Sequence, residues 1–173
     1  MDTMKKYKIL FADMDDTLIQ TRTGNTFAKG IWDMELKLDV LEKIKELAPD
    51  YFFIVTNQGG IGQFVTKEDF ELKLKYILTS IKDYIKADNL KLVDALYCAS
   101  MDKNDPSRKP NPGMINHFIN IYKLTKKYSL DDMLMIGDAS GYMGDFSDAD
   151  LKTALNAGIS YLDVDDFVKA TFE

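Results

Sequence analysis

The sequence predicts an α/β fold, a three-layer doubly wound parallel sheet with helices on both faces and no large cap domain. Two observations predict it. Short apolar runs rich in β-branched or aromatic residues alternate with stretches whose apolar residues recur at helical spacing. Polar and acidic motifs stand directly after those runs, at the carboxyl ends of the expected strands, where such sheets collect ligands. The 173 residues correspond to one domain spanning 1–173, and 46% hydrophobic residues are enough for a core rather than disorder.

The elements follow in order. Residues 7–12 read as a strand buried on both faces, as do 51–55, 93–98 and 133–136, with 159–162 as a fifth candidate. After the first strand, Leu38, Leu41, Ile44 and Leu47 form a helical stripe that stops before Pro49. Thr66-Lys67-Glu68-Asp69 resembles a capping box with Asp in place of Glu, opening a helix with Phe70, Leu74, Ile77, Ile81 and Ile85 inward. Asn111 and Pro112 suit the Ncap and N1 positions of a third helix carrying Met114, Phe118 and Ile121. A fourth, with Leu151, Ala154 and Leu155, runs to a stop at Gly158.

Composition narrows the chemistry. The net charge of −6 argues against a nonspecific nucleic-acid binder. One cysteine, Cys98, excludes an internal disulfide and a multi-cysteine zinc site, and one histidine, His117, leaves little for His-based catalysis. Cys98 is expected to be an inert core residue, and His117 a surface or packing one. No apolar run reaches membrane-spanning length and MDTMKKYKIL lacks a signal-peptide core, so the expectation is a cytoplasmic protein without a membrane partner. Carboxylates are left to carry the chemistry.

The first strand ends in Asp13-Met14-Asp15-Asp16-Thr17. An acidic turn is one reading. The other is a site, because Asp13 and Asp15 can share one strand end and need a cation or substrate group to compensate them. Thr56-Asn57-Gln58-Gly59-Gly60 after the second strand offers hydroxyl, amide and backbone donors for an anion, or simply a flexible turn. Arg108 and Lys109, held between prolines, suit a phosphate or a solvated surface. Gly137-Asp138 ends the fourth strand, followed by Asp145, Asp148 and Asp150. Four strand ends carrying Asp/Asp, Thr, Lys and Asp together describe a hard-cation site of oxygen ligands facing phosphate-binding donors.

That order resembles the haloacid dehalogenase (HAD) phosphohydrolase superfamily: DxDxT, Thr, Lys, then GD with a later Asp. The finer likeness is to the polynucleotide 3′-phosphatases, the phosphatase half of polynucleotide kinase-phosphatase. Residues 13–27 read DMDDTLIQTRTGNTF, against that family's DxDGTLI followed by T-[RK]-[ST]-G and a Phe. IVTNQGGIG (54–62), RKPNPGM (108–114) and DFSDADLKTALNAG (145–158) continue it. Asp150 stands eight residues before Gly158, the spacing of a second acidic residue in related short enzymes. There are departures. Asp16 replaces a common Gly, no GxxxxGK[ST] kinase motif is present, and the Cys/His zinc loop of heptose-bisphosphate and histidinol-phosphate phosphatases is missing.

The resemblance implies roles. Asp13 is the expected nucleophile, and Asp15 the general acid and then base. Thr56 is expected to donate its hydroxyl to the phosphoryl group with the Asn57 backbone assisting, Gln58 and Gly59 to help bind substrate, and Lys109 to neutralise charge and hold Asp13 near the metal. Mg²⁺ is the expected cofactor, held by Asp13, the Asp15 carbonyl and Asp138, with Asp150 or Asp145 as the outer acidic residue. Arg22, Lys29 and Arg108 are candidates for backbone phosphates of a nucleic-acid 3′ end, with solvated surface charge the alternative for Lys29. Phe27, Trp32 and Phe64 suggest base stacking, against a small apolar cluster under a loop for Phe27 and Trp32. Met14 is expected to pack beside the catalytic pair. The leading expectation is a polynucleotide 3′-phosphatase that cleans blocked DNA ends. A sugar-phosphate or nucleotide phosphatase and a non-catalytic phosphate-binding module are the alternatives.

Overall fold

Side-chain alternation along the central strands decides which residue meets which layer. The computed structural model describes residues 3–26, 28 and 31–173, with Ile31 described by its backbone alone. Its elements are β1 (Thr3–Met4), β2 (Ile9–Ala12), β3 (Ile19–Thr21), β4 (Met34–Leu36), α1 (Leu38–Leu47), β5 (Tyr51–Asn57), α2 (Lys67–Ile85) and β6 (Leu92–Cys98). They continue with α3 (Gly113–Ile121), β7 (Met133–Gly137), α4 (Ala149–Ala157), β8 (Ser160–Asp163), α5 (Val164–Lys169) and β9 (Thr171–Phe172).

Five strands form one parallel sheet in the order β6-β5-β2-β7-β8. Central β2 pairs Ile9 with Tyr51 on one side and with Met133 on the other. Leu10, Phe52, Ile54, Leu134 and Ile136 turn to a layer that holds the buried residues of α1, α2 and α5. Ile9, Phe11, Phe53, Val55, Met133 and Met135 turn to α3 and α4. The three-layer expectation stands. Phe53 stacks on Phe118 of α3 at 4.2 Å between centroids, a pairing worth about 0.5–1.5 kcal/mol beyond area burial.

Several local expectations need correction. β6 is an edge strand, partly buried over most of its length and carrying Asp94, rather than buried on both faces. In α1, Val40 joins Leu41, Ile44 and Leu47 inward, while Leu38 at the first position is exposed. Pro112, not Asn111, occupies the cap of α3, and the Asn111 amide instead donates to the Lys103 and Asp105 carbonyls. Ile121 and Leu155 point to solvent, and Ile115 and Ile119 complete the α3 face. The antiparallel β3–β4 hairpin, the β1–β9 pair and α5 were not expected. These strands are two or three residues long, too short for a period to register.

Among the described residues, the hairpin with a 3-10 turn at Ile31–Asp33 and α1 lie between β2 and β5, and α2 lies between β5 and β6, so no large cap domain is seen at the sheet's carboxyl edge. Among the described residues, no helix is long and apolar enough to cross a membrane.

Candidate active site

Asp13 directly follows β2, its N–H extending the ladder to the Ile136 carbonyl at 3.1 Å. The chain then turns sharply, with the Thr17, Leu18 and Ile19 N–H groups all donating to the Met14 carbonyl. Asp16 sits in this turn at φ 59°, which explains why Gly suits the position and why Asp, tolerant of that region, can replace it. Met14 is fully buried beside the pair, as expected.

Lys109 joins the parts. Its ammonium is buried and donates to Asp13 Oδ1 at 2.8 Å and Asp150 Oδ1 at 2.7 Å. Burial would push Lys109 down, but the two carboxylates outweigh it and hold it above the ordinary lysine value. Its backbone is clasped by Asn57, whose side chain accepts from the Lys109 N–H at 2.9 Å and donates to its carbonyl at 3.0 Å. Asn57 is therefore a clamp on Lys109, and its side chain is spent there rather than on substrate.

The Gln58 side chain is likewise engaged within the protein. Its amide bridges Asp15 Oδ2 at 2.9 Å and Thr56 Oγ1 at 3.0 Å, and its backbone N–H is taken by the Cys98 carbonyl. It orients the Asp15 and Thr56 side chains and offers no spare donor observed to face outward. Thr56 itself is buried at the end of β5. Gly59 lies against the side chain of exposed Met101, which would have to move aside for a Cβ there.

Asp138, Asp13 and Asp150 form a cluster whose carboxylate oxygens lie within 4.8 Å of one another. Burial, then the Asp13 charge and a hydrogen bond with it, push Asp138 up to about 8. Two carboxylates close enough to share a proton, with a third beside them, are a donor set that suits a hard divalent cation. Asp150 is raised chiefly by burial, with the Asp13 charge adding to it. It lies against Gly137, where any Cβ would clash with it, and accepts from the Ala139 N–H at 3.1 Å. Asp145 is elsewhere: its Oδ2 staples its own loop through the Ser140 and Tyr142 N–H groups. Asp150, not Asp145, is thus the later acidic residue that joins Asp13 and Asp138 in the cluster. Asp15's carboxylate is not in the cluster. Burial raises Asp15, while Lys73 and the Gln58 amide oppose the rise.

Two residues near the site escaped the sequence reading. Thr17 is buried with its hydroxyl 3.4 Å from Asp138 Oδ1, and the final Thr of DxDxT was the available signal. Lys73 gave none, being one of several α2 lysines. Arg108 donates to the Ser100 carbonyl at 3.0 Å, and exposed Arg22 directly follows β3, its Nε donating to the Met34 carbonyl at 3.4 Å. Phe27 and Lys29 lie outside the described residues. Trp32 and Phe64 are both exposed, so the buried-cluster reading of Trp32 does not hold. Cys98 is buried and His117 exposed, as expected.

The sequence matches the model of a family described as polynucleotide kinase 3 phosphatase over residues 8–168. It is 33% identical over 161 residues to the bifunctional polynucleotide phosphatase/kinase of Schizosaccharomyces pombe, covering 91% of this chain and 36% of that protein. It is 30% identical over 141 residues to the histidine biosynthesis bifunctional protein HisB of Buchnera aphidicola, covering 76% and 36%. The chain thus spans only 36% of the length of either relative. In structure it resembles a D,D-heptose 1.7-bisphosphate phosphatase from B. bronchiseptica complexed with magnesium and phosphate, with TM-score 0.67 and 18% identity over 89% of this chain and 78% of that one. The fold is that of the HAD-like phosphatases, and the chain belongs to the polynucleotide kinase 3 phosphatase family.

Proposed function

We propose that this protein is a Mg²⁺-dependent phosphomonoesterase that removes the 3′-phosphate from polynucleotide ends, most directly from DNA, and so prepares blocked ends for repair. The observation that carries the reading is the Lys109 clasp. It holds one carboxylate, Asp13, at an open strand end beside Asp138 and Asp150, with a second carboxylate, Asp15, kept prone to protonation two residues on. The match to the family supports a polynucleotide substrate, and the uncapped edge leaves room for a macromolecular end.

In this reading an Asp13 oxygen attacks phosphorus and the bond to the 3′-oxygen breaks, leaving an aspartyl-phosphate. Protonated Asp15 gives its proton to the departing oxygen. As a carboxylate it then takes one from the water that attacks phosphorus and frees Asp13. The raised Asp15 suits the first step, and the Gln58 bridge aims its carboxyl. Lys109 offsets charge on the equatorial oxygens and steadies Asp13. Asp13, Asp138 and the Asp15 carbonyl would hold Mg²⁺, with Asp150 behind them, and the ion would lower the repulsion between Asp13 and the phosphate. Exposed Phe64, in the loop between β5 and α2, offers a face for a neighbouring base.

Phosphate release with and without Mg²⁺ from a 3′-phosphorylated oligonucleotide, its 5′-phosphorylated counterpart and a set of sugar phosphates tests this. The 3′ end should be the preferred substrate, with turnover lost on chelation. A preference for histidinol phosphate or a heptose bisphosphate would favour a small-molecule phosphatase, to which the HisB relative also points.

A further inference from the structure

β2, β5 and β7 each deliver a residue of the candidate active site at or just beyond the carboxyl end: Asp13, Thr56 and Asp138. β8, at the sheet edge beside β7, also ends in a carboxylate, Asp163, which pairs in register with Gly137, the residue before Asp138. Asp163 is not in the carboxylate cluster. It is nonetheless buried, with both oxygens engaged. Oδ1 accepts from the Asp165 N–H at 2.9 Å and caps α5, while Oδ2 accepts from the Ser140 hydroxyl at 2.6 Å. Capping needs only the first of these bonds.

Proton count fixes the direction of the next bond. A serine hydroxyl has one proton and the carboxylate takes it, so the Tyr161 hydroxyl, 2.6 Å from Ser140 Oγ, donates to that oxygen. Burial pushes the Tyr161 hydroxyl up against the opposing Ser140 hydrogen bond, so it keeps the proton it donates. Tyr161 and Asp163 lie two residues apart on one face of β8. Ser140 is thus gripped from both, in a one-way chain from Tyr161 through Ser140 to Asp163.

The gripped segment carries Asp138. Of residues 139–149 only Ser140 is buried, and beyond it the loop runs into solvent with Tyr142, Met143 and Phe146 exposed. Ala139 donates its N–H to Asp150 Oδ2 and accepts with its carbonyl from the Asp150 and Leu151 N–H groups. A shift of Ser140 therefore reaches two of the three clustered carboxylates, Asp138 through the chain and Asp150 through Ala139. Lys109 pairs with Asp13 and Asp150, whereas Asp138 has no ion pair among the described residues. Its neighbours in the cluster repel it when ionised, so its place depends on how its backbone is anchored.

We propose that Ser140 is a positioning residue of the metal site: the Tyr161–Ser140–Asp163 chain ties the segment after β7 to β8 and so holds the Asp138 carboxylate beside Asp13 and Asp150 for a divalent cation. The chain then sets metal affinity. The assignment rests on the Mg²⁺-dependent reading above.

The test needs no turnover. Mn²⁺ binding to the full chain is followed by loss of the free-ion EPR signal, and Mg²⁺ binding by competition against it. Ser140→Ala should weaken both ions about tenfold, the loss expected when a ligand's orienting partner goes. Tyr161→Phe removes a hydroxyl one step further away and should weaken them about threefold. Ser140→Thr keeps the hydroxyl and should stay within about twofold of the parent. Unchanged affinities in Ser140→Ala and Tyr161→Phe, with or without a lower metal-free thermal midpoint, make the chain a support of the fold alone. That result overturns the positioning role and spares the metal-dependent reading. A Ser140→Thr protein as weak as Ser140→Ala traces the effect to side-chain volume rather than the hydroxyl, and overturns the role too. A parent that binds neither ion removes both. Should Ser140→Ala not fold, Tyr161→Phe decides by the same affinities.

Discussion

The Lys109 ammonium is enclosed between Asp13 and Asp150 at 2.8 and 2.7 Å, so removing it would leave two buried carboxylates facing each other. Lys109→Met should therefore abolish turnover and cost about 3 kcal/mol in urea unfolding of the metal-free protein near neutral pH. Asp13, Asp15, Thr56, Lys109 and Asp138 were legible because each stands at a strand end or on the loop that follows one. What could not be read was where neighbouring polar groups spend their hydrogen bonds. Asn57 and Gln58 look like substrate donors in the sequence, yet their amides turn inward onto Lys109, Asp15 and Thr56. Asp145 and Asp150 differ only in what the loop after β7 does with them: one staples that loop, the other reaches back over Gly137. Lys73 was invisible for another reason. A lysine among helix lysines reads as solvent-facing until packing buries it.

At the scale of elements, helix ends were well marked where side chains form them. The Thr66 hydroxyl accepts from the Asp69 N–H at 3.1 Å, as the capping-box spacing anticipates. Gly158 ends α4 at φ 76°. The far end of α2 is less obvious, because Lys86 takes the left-handed cap at φ 41° without being glycine. It is exposed, so little packing is at stake. Lys86→Gly should stabilise the protein by about 0.5–1 kcal/mol, the left-handed cost of a Cβ less the extra freedom of glycine when unfolded. Chemical denaturation would show it as a raised midpoint with unchanged slope. The β3–β4 hairpin stayed hidden because its pairing is between residues 19–21 and 34–36, each too short to carry a periodic signal. That omission matters, since β3 directly follows the turn that carries Asp13 and Asp15.

For the whole molecule, three of the 28 acidic residues matter most to the pH response. Asp13, Asp138 and Asp150 converge on one point, and their repulsion governs how stability depends on pH. Asp138 is raised from 3.8 to about 8 by burial first and by Asp13 second, so the folded protein holds a proton there that the unfolded chain releases. Its contribution is complete below the unfolded value and is lost as pH rises through about 8. Thermal melts of metal-free protein should accordingly fall in midpoint between about pH 6 and pH 8.5, and Mg²⁺ should restore more at the upper end, where it need not displace the proton. An Asp138→Asn variant should lose both the slope and the metal response. The proposed chemistry, however, rests on a covalent step at Asp13. The most direct measurement is mass spectrometry of the Asp13-containing peptide after acid quench of the enzyme during turnover of a 3′-phosphorylated oligonucleotide. The prediction is a phosphoryl group on Asp13 that forms and decays with turnover and does not form with the 5′-phosphorylated strand. Phosphate release with Asp13 unmodified throughout would contradict it.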